Sequence, residues 1–526
     1  MTLKERIRQK ILNFLNLDSN PNSDRYSFIS NEENIKEQKL MENKVWYYGD
    51  SNELLNFYTN EQIYGNAREP IYNRNKRNYF WGLSSTETDI KRVHSGIPNA
   101  IVNTIVNIIG VPHYNFEKEE NYKTLEEILE ENDFNRILNQ QQIPLTLVEG
   151  WGAFKINIDK DVSKNPIIQY YEGEDVDFIY KSKRLIGITF KDYYQYKEKD
   201  YVLIETRRLE GKDSIIEYEL FKLEKNNEVV KVELSTIPDL SHLEDSIIKD
   251  YNKILAVPSV FFYDLLDKNY GRSIFSGKID LFDDLDQILS QDSQTVRVST
   301  PVEYYPVDVL ERNSDGQPKM PKIYNRQFVK LESLPNGDGD VNQNIVTTQP
   351  QLNFEQYSAN AKSKLDFILT GLLSPATLGI DIAKKDNADA QREKEKITIM
   401  TRNNIIDRQE RILKQLFSLC LDVKQYLDTG TMPKDQNYEI SIKFDEFANP
   451  SFESELEILG NAWTVGSIST DKYVELLWKD SISEEEKTKE KQWLDERREK
   501  ESVNYEDDED SPTDEEVEEK PKEDKK

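Results

Sequence analysis

The stretch KIDLFDDLDQILSQDSQTVR at residues 278–297 decides the fold, because a second helical pattern follows it at 353–373 after a non-helical insert. One helical face of the first stretch carries Leu281, Leu285, Ile288 and Thr295. The second stretch steps by three or four residues through Phe354, Tyr357, Ala361, Leu365, Ile368 and Leu372. Each pattern predicts an amphipathic helix of roughly 30 Å, at about 1.5 Å of rise per residue.

The insert at 298–350 reads as strand and turn. Tight-turn sequences occur at 313–316 (Asn-Ser-Asp-Gly) and 336–339 (Asn-Gly-Asp-Gly). Prolines and aromatic residues that indicate strand and turn rather than helix precede them, namely Pro301, Tyr304, Tyr305 and Pro306. A helix pair with a small β insert is unusual in a compact enzyme. It suits a protein whose helix pairs stand side by side in a ring.

A third helical pattern follows the loop at 374–386. Asp386 can cap its start, and the pattern continues to Tyr426, which gives about 40 residues or ~60 Å. Its apolar face carries Ile397, Ile405, Ile412, Leu416, Cys420, Val423 and Leu427. No strict heptad is sustained, so the pattern indicates a helix that spans an assembly rather than a coiled coil.

Five segments between residues 153 and 234 alternate apolar and polar residues, as half-buried strands do. They are Ala153–Ile158, Leu185–Phe190, Tyr201–Thr206, Ile215–Phe221 and Val229–Leu234. We predict that they form one antiparallel meander. Helical patterns at 46–112 and 123–147 precede or adjoin them, and a polar arm with an amphipathic helix at 3–17 comes first. The predicted fold class is therefore α+β.

Composition describes a polar, acidic chain. The 526 residues are 37% hydrophobic and carry a net charge of −29, from 98 acidic and 69 basic residues. Residues 501–526 alone hold 13 acidic and 4 basic residues, which predicts a disordered tail. The acidity disfavours a simple nucleic-acid binder, since duplex affinity comes largely from Lys and Arg. It suits a channel through which DNA slides.

Catalytic, cofactor and metal motifs are not recognisable in the sequence. The lone Cys420 excludes an internal disulfide and is predicted to be a small buried hydrophobe. No pair among the three histidines has metal-ligand spacing, and His94 is predicted to mark the start of a helix. Gly277-Lys278 and Gly211-Lys212 lack the other residues of a phosphate-binding loop, so we expect no ATP hydrolysis.

Two charged groups have a structural and a functional interpretation. The acidic cluster Asp283, Asp284 and Asp286 is predicted to be a solvated or channel-lining face rather than a metal site. The basic-aromatic run at 72–81 is predicted to form a cation–π surface or a subunit contact rather than a nucleic-acid site. No apolar run reaches the roughly 18–20 residues that a membrane span needs, so no membrane association is expected.

The chain resembles the portal proteins of tailed bacteriophages, in the branch typical of long-tailed phages of Gram-positive hosts. The resemblance depends on the order and spacing of several motifs between residues 45 and 490. They are His94–Gly110, Gly271-Arg272-Ser273 leading into Asp280–Asp286, Leu373–Asp381, Asn387–Lys396 and Thr464–Thr470. None of them is a catalytic fingerprint.

This resemblance implies a homo-oligomeric ring, usually of twelve subunits, at one vertex of the virion and assembled in the host cytoplasm. Such a ring is the conduit for double-stranded DNA during packaging and ejection. Its expected partners are the packaging ATPase (large terminase), a head-completion or adaptor protein, and the major capsid and scaffolding proteins. The resemblance implies no enzymatic activity, no cofactor and no membrane partner.

The resemblance also implies a domain map. Its parts are an N-terminal arm (1–40), the first part of the wing (41–277), stem helices (278–297 and 351–373), a clip (298–350), a channel loop (374–386), a long helix with the second part of the wing (387–455), a crown (456–500) and the acidic tail (501–526).

Two sets of site residues follow from this map. On the channel loop, Pro375 fixes one end and Gly379 frees the other. Lys384 and Lys385 are the candidates for contacting DNA, with Ser374, Pro375 and Gly379 shaping the loop; the lysines are equally compatible with ordinary solvated positions near a helix start. The clip residues that would dock the ATPase or adaptor are Tyr304, Tyr305, Arg312, Lys319 and Lys322.

Two alternatives from other classes stay open. A non-portal acidic scaffold or adaptor would share the long helices but form no closed ring. A carboxylate-dependent hydrolase would lose turnover when one particular Asp or Glu is changed, and nothing in the sequence singles one out.

Overall fold

The computed structural model describes most of the chain, in two compact units, 1–445 and 446–526. The described residues are 26–59, 79–83, 90–160, 162–223, 229–264, 269–299, 302–306, 310–317, 319, 327–331, 346–348, 353–380, 388–433, 437–444, 459–478 and 484–506. Of the residues that the structure describes, 50% are helical and 24% are strand, and the largest described sheet is antiparallel. The predicted α+β class is confirmed.

The first unit contains groups of helices and groups of strands, and its helices come first here. They are α1 (Tyr26–Tyr48), α2 (Ser51–Thr59), α3 (Ile97–Ile109), α4 (Glu119–Glu131), α5 (Phe134–Ile137), α6 (Ile143–Glu149), α7 (Ile279–Val298), α8 (Phe354–Leu369) and α9 (Ala388–Thr429). The strands are β1 (Pro112–Phe116), β2 (Trp151–Asn157), β3 (Ile167–Glu172), β4 (Val176–Lys181), β5 (Arg184–Tyr196), β6 (Lys199–Glu210), β7 (Asp213–Leu223), β8 (Val229–Val232), β9 (Ser246–Ile248), β10 (Ala256–Val260), β11 (Val302–Pro306), β12 (Gln327–Leu331), β13 (Val346–Thr348) and β14 (Ile440–Phe444).

The largest sheet is an antiparallel meander in the order β4-β5-β6-β7-β8, with β9 also paired to β7. The last four predicted strands lie in it, so that part of the prediction is confirmed. The first predicted strand, Ala153–Ile158, does not: β2 belongs to a separate sheet, β10-β2-β3. Its alternation is misleading because the polar Lys155 is itself buried, where it binds Glu205 of β6.

The long helix α9 has 42 residues and matches its predicted length. Its middle and end are buried in the first unit, where Ile405, Leu416 and Cys420 are fully enclosed. The predicted burial of Cys420 is therefore confirmed. The start of α9 differs from the prediction, because Ile397 is 46% exposed and Met400 60% exposed.

One predicted domain boundary lies inside a helix, and one predicted helix is broken. The predicted end of the N-terminal arm at residue 40 lies inside α1, where Leu40 is buried in a core cluster with residues of β2, β4, β5 and β10. The predicted helix at 123–147 is broken after α4, because Asp133 adopts a left-handed conformation with φ of 48°. A π-helical turn at Leu138–Gln142 then leads into α6. The predicted helix at 3–17 lies outside the described residues.

The second unit contains α10 (Thr470–Trp478) and α11 (Glu484–Glu506). Tyr473, Val474 and Leu477 of α10 pack against Leu494 of α11. The predicted disordered tail begins at residue 501, whereas α11 continues to Glu506. Glu, Lys and Arg dominate α11, and these residues favour helix even where little apolar surface is buried.

None of the helices in the described ranges combines the length and hydropathy that crossing a bilayer requires.

Candidate functional site

The helix pair α7 and α8 is the centre of the candidate assembly surface. The helices span 20 and 16 residues, and the chain between them contributes a three-stranded sheet. On α8 the predicted stripe faces α7 only in part: Ile368 is buried and Tyr357 and Leu365 are half-buried, but Phe354 is exposed. The helix ends at Leu369, four residues before the predicted end, since Thr370 leaves the helical region with ψ of 123°.

Polar contacts fix the C-terminal half of α8 to the start of α7. Lys364 forms an ion pair with Asp284. Lys278 donates to the carbonyl oxygens of Phe367 at 3.4 Å and Thr370 at 3.1 Å, which satisfies acceptors at the end of α8. Burial lowers the pKa of Lys278. The two helices are therefore held in one defined arrangement.

Large apolar side chains remain exposed on this pair. Phe354 and Phe367 of α8 are 65% and 61% exposed, and Val296 and Val298 at the end of α7 are 56% and 44% exposed. Aromatic residues are enriched at protein–protein interfaces, so exposed aromatic side chains on a helix are candidates for a contact surface. We call these four residues the stem face, a name for the set of exposed apolar side chains rather than for one side of a helix.

The three-stranded sheet has the order β12-β11-β13, with β11 parallel to β12 and antiparallel to β13. Tyr304 and Tyr305 lie half-buried on the central strand, and the Tyr305 hydroxyl donates to Glu303 at 2.7 Å. Arg312 and Lys319 are exposed beside the predicted turn at 313–316, which closes with Gly316 at φ of 74°. Lys322 and the predicted turn at 336–339 lie outside the described residues.

The loop after α8 is anchored at its start. Ser374 is buried, and its backbone N–H donates to the Thr398 hydroxyl of α9 at 2.8 Å. The Thr377 and Thr398 hydroxyls lie 2.9 Å apart. Gly379 is exposed with φ of 73°, a conformation that favours glycine. Pro375 is half-buried, and Lys384 and Lys385 lie outside the described residues.

The acidic cluster on α7 differs from its prediction. Asp283 and Asp286 are 3% and 0% exposed and therefore form neither a solvated nor a channel-lining face. Asp283 accepts the backbone N–H groups of Phe80 at 2.7 Å and Trp81 at 3.2 Å. Burial raises the pKa of Asp283 to about 7, against the opposing effect of these two N–H groups.

Asp286 fixes the residues that precede α3. Its carboxylate accepts hydrogen bonds from the indole N–H of Trp81 at 3.0 Å, from Nδ1 of His94 at 2.7 Å and from the backbone N–H of Ser95 at 2.8 Å. His94 lies just before α3, as predicted. Phe80 and Trp81 are buried, so the end of the basic-aromatic run is core rather than surface. One sequence signal could have indicated that these carboxylates are buried: Asp283 and Asp286 lie on the same helical face as Phe282 and Leu285.

A second acidic group has the spacing of metal ligands. Carboxylate oxygens of Glu172, Glu174 and Asp175 lie within 4.8 Å of one another. The Lys44 ammonium lies 2.7 Å from Glu172 and 3.1 Å from both Glu174 and Glu149. This lysine already supplies positive charge to the group, so its geometry is accounted for as an ion cluster that fixes α1.

Sequence comparison finds no matching family model and no matching curated protein. Among solved structures, one similar chain belongs to a structure described as the neck of an empty GTA particle computed with C6 symmetry. The two chains are 12% identical, the alignment covers 74% of this chain and 95% of that chain, and the TM-score is 0.32. A TM-score this low establishes no common fold, and the proposals below rest on this chain's own residues.

Proposed function

We propose that this chain is a portal protein, the subunit of a ring at one capsid vertex through which DNA is packaged and ejected. The observation that carries the proposal is the chain order: helix α7, a small β insert, helix α8, an anchored loop and the 42-residue α9. The exposed stem face supports it, because side-by-side packing of identical helix pairs would bury those side chains.

The proposed domain map assigns a role to each part. Residues 41–277 and the later part of 387–455 form the wing, 278–297 and 351–373 the stem, 298–350 the clip and 456–500 the crown. In the three-stranded clip sheet, β12 and β13 each have β11 as their only partner among the described strands. Such edges are suited to pairing with a neighbouring clip.

The proposed partners follow from the same map. Tyr304, Tyr305, Arg312, Lys319 and Lys322 of the clip would dock the packaging ATPase and later the head-completion protein. Major capsid and scaffolding proteins would contact the wing. Lys384 and Lys385 of the channel loop would contact passing phosphates. The net charge of −29 would keep the duplex from binding tightly elsewhere.

The test is the assembly state of the purified chain, measured by native mass spectrometry and electron microscopy. We expect closed rings, with about twelve copies of the 61.7 kDa chain. Changing both Phe354→Asp and Phe367→Asp should weaken ring assembly at least about a hundredfold, since two buried Phe contribute about 3–6 kcal/mol per contact.

The control is Val162→Asp, which makes the same chemical change at a 73% exposed position outside the stem face. It should leave the rings intact. Monomers at every salt and protein concentration would overturn the proposal, and rings that tolerate the double change would remove the stem face from it.

A further inference from the structure

A groove of about 450 Å³ lies between α4, β1 and α9. Its floor is aromatic and apolar: the ring of Tyr114 packs against Phe417 at 5.4 Å between centroids, and Phe134 against Phe417 at 5.8 Å. Leu129 completes the floor. The rim includes Val111, which is 43% exposed although it is apolar. The remaining lining residues are Pro112, Glu126, Glu130, Asp133 and Asn135. We call this the α4 groove.

The rim of the α4 groove is acidic. Among its described lining residues three are acidic and none is Lys or Arg. Asp133 is paired with Arg136 at 2.6 Å and Glu126 accepts the Tyr122 hydroxyl at 3.2 Å, whereas Glu130 is exposed. The helix α4 itself contains six Glu and one Lys. Burial raises the pKa of Tyr114 to about 12, and the nearby Tyr122, Glu126 and Glu130 add smaller electrostatic effects in the same direction.

The N-terminal segment has the complementary pattern. Residues 3–17 read LKERIRQKILNFLNL, with Leu3, Ile7, Ile11 and Phe14 on one helical face. On a helical wheel, Arg6 and Lys10 flank one side of this face, and Lys4 and Arg8 flank the other. The segment holds four basic residues and one acidic residue in a chain whose net charge is −29.

We propose that residues 3–17 of the chain bind in the α4 groove as an amphipathic helix. Their apolar face covers Tyr114, Leu129 and Phe134, and their basic flanks lie against Glu126, Glu130 and Asp133. This is the helix-in-groove mode of recognition, in which apolar anchors give affinity and charges at the rim fix the orientation. The inference is independent of the portal proposal.

Hydrogen–deuterium exchange of the full-length protein tests this docking. In the wild type, amides of residues 3–17 should exchange at least about tenfold more slowly than in a synthetic peptide of the same sequence. The double change Glu126→Lys and Glu130→Lys should abolish that protection. Adding Arg6→Glu and Lys10→Glu to it should restore protection, because the charges are then exchanged across the same contact.

The matched control is Glu120→Lys with Glu127→Lys, which makes the same charge change on α4 outside the groove lining. It should keep wild-type protection. Exchange of residues 3–17 at the free-peptide rate in the wild type overturns the proposal. So does protection that appears only after addition of duplex DNA or of phosphatidylglycerol vesicles, because the basic face would then serve one of those ligands.

Discussion

Three buried side chains, those of Cys420, Asp283 and Asp286, show how much of the chemistry of single residues the sequence predicts. Cys420 was predictable, because a lone cysteine on an apolar helical face is normally a small hydrophobe. Asp283 and Asp286 were not, because their burial depends on backbone N–H groups contributed by residues 80, 81 and 95, about two hundred positions away. A carboxylate's environment is set by such distant donors, and local spacing does not reveal them.

The raised pKa of Asp283 predicts a pH-dependent stability. Its folded value of about 7 exceeds the usual value near 4, so the folded state holds the extra proton between those limits. Stability should therefore fall as pH rises from about 4 to 7, by at most about 1.4 kcal/mol per unit. In the Asp283→Asn variant this side chain is neutral at every pH. The free energy of unfolding of the variant should therefore fall less than that of the wild type between about pH 5 and pH 8.

Urea unfolding at the two pH values measures this difference. Asp284→Asn is the control, because Asp284 is adjacent on α7 but paired with Lys364 and 45% exposed. It should retain the wild-type dependence on pH. An equal loss of stability in wild type and Asp283→Asn would contradict the prediction.

Glu205 predicts a second effect at this scale. It lies between Lys155 at 3.0 Å and Arg207 at 2.6 Å, and all three side chains are at most 5% exposed. Burial alone would raise the pKa of Glu205, but the two cations lower it. Glu205→Gln should cost about 3–5 kcal/mol in the free energy of unfolding, because two buried cations lose their counter-charge.

The comparison variant is Glu217→Gln on the neighbouring strand, whose pair with Arg208 is 39% and 30% exposed. It should cost no more than about 1 kcal/mol. Equal costs for the two changes, measured by urea unfolding, would show that the buried cluster contributes no more than a surface pair.

At the scale of elements, long periodic patterns were predictable and their ends were not. The helices α7 and α9 and four strands of the large sheet follow from periodicity alone. The end of α8 depends on the extended conformation of Thr370. The break after α4 depends on the left-handed conformation of Asp133. Aspartate adopts that conformation more readily than most residues, but its presence in a sequence does not predict it. The face of α7 also differed, because buried carboxylates replace apolar residues on it.

The anchored loop after α8 gives a prediction at this scale. Thr398→Val keeps the shape of the side chain but removes the acceptor of the Ser374 N–H and the partner of Thr377. Amides of residues 374–380 should then exchange about tenfold faster, as expected for the loss of one buried hydrogen bond. Thr429→Val, which removes an exposed bond to Gln425 on the same helix, should leave that loop unchanged. Unchanged exchange in Thr398→Val would show that packing alone holds the loop.

At the scale of the whole molecule, the sequence predicted the class and the order of elements better than the candidate site. Chain order follows from local pattern, and the resemblance to portal proteins depends on that order. The proposed site would depend on neighbouring copies and on Lys322, Lys384 and Lys385, which lie outside the described residues. The proposed interface between copies would leave only an indirect mark on one chain, and the exposed Phe354 and Phe367 are the candidates for it.

The proposed conduit predicts a separation between assembly and DNA movement. Lys384→Glu with Lys385→Glu should leave ring formation unchanged but lower DNA packaging on the order of tenfold, because like charges would then line the loop. The control pair Lys183→Glu and Lys212→Glu makes the same change at exposed turns of the large sheet and should package normally. Normal DNA packaging by the Lys384→Glu, Lys385→Glu variant would show that these two lysines are solvated and make no contact that packaging needs.

The buried position of Cys420 has a practical consequence for observing the proposed ring. It is the chain's only thiol, it is fully enclosed, and burial raises its pKa, so maleimide dyes should leave it untouched. A cysteine introduced at any exposed position would then be the single reactive one. Fluorophores could be attached to the native background one site at a time, and energy transfer between them would report distances within the proposed assembly.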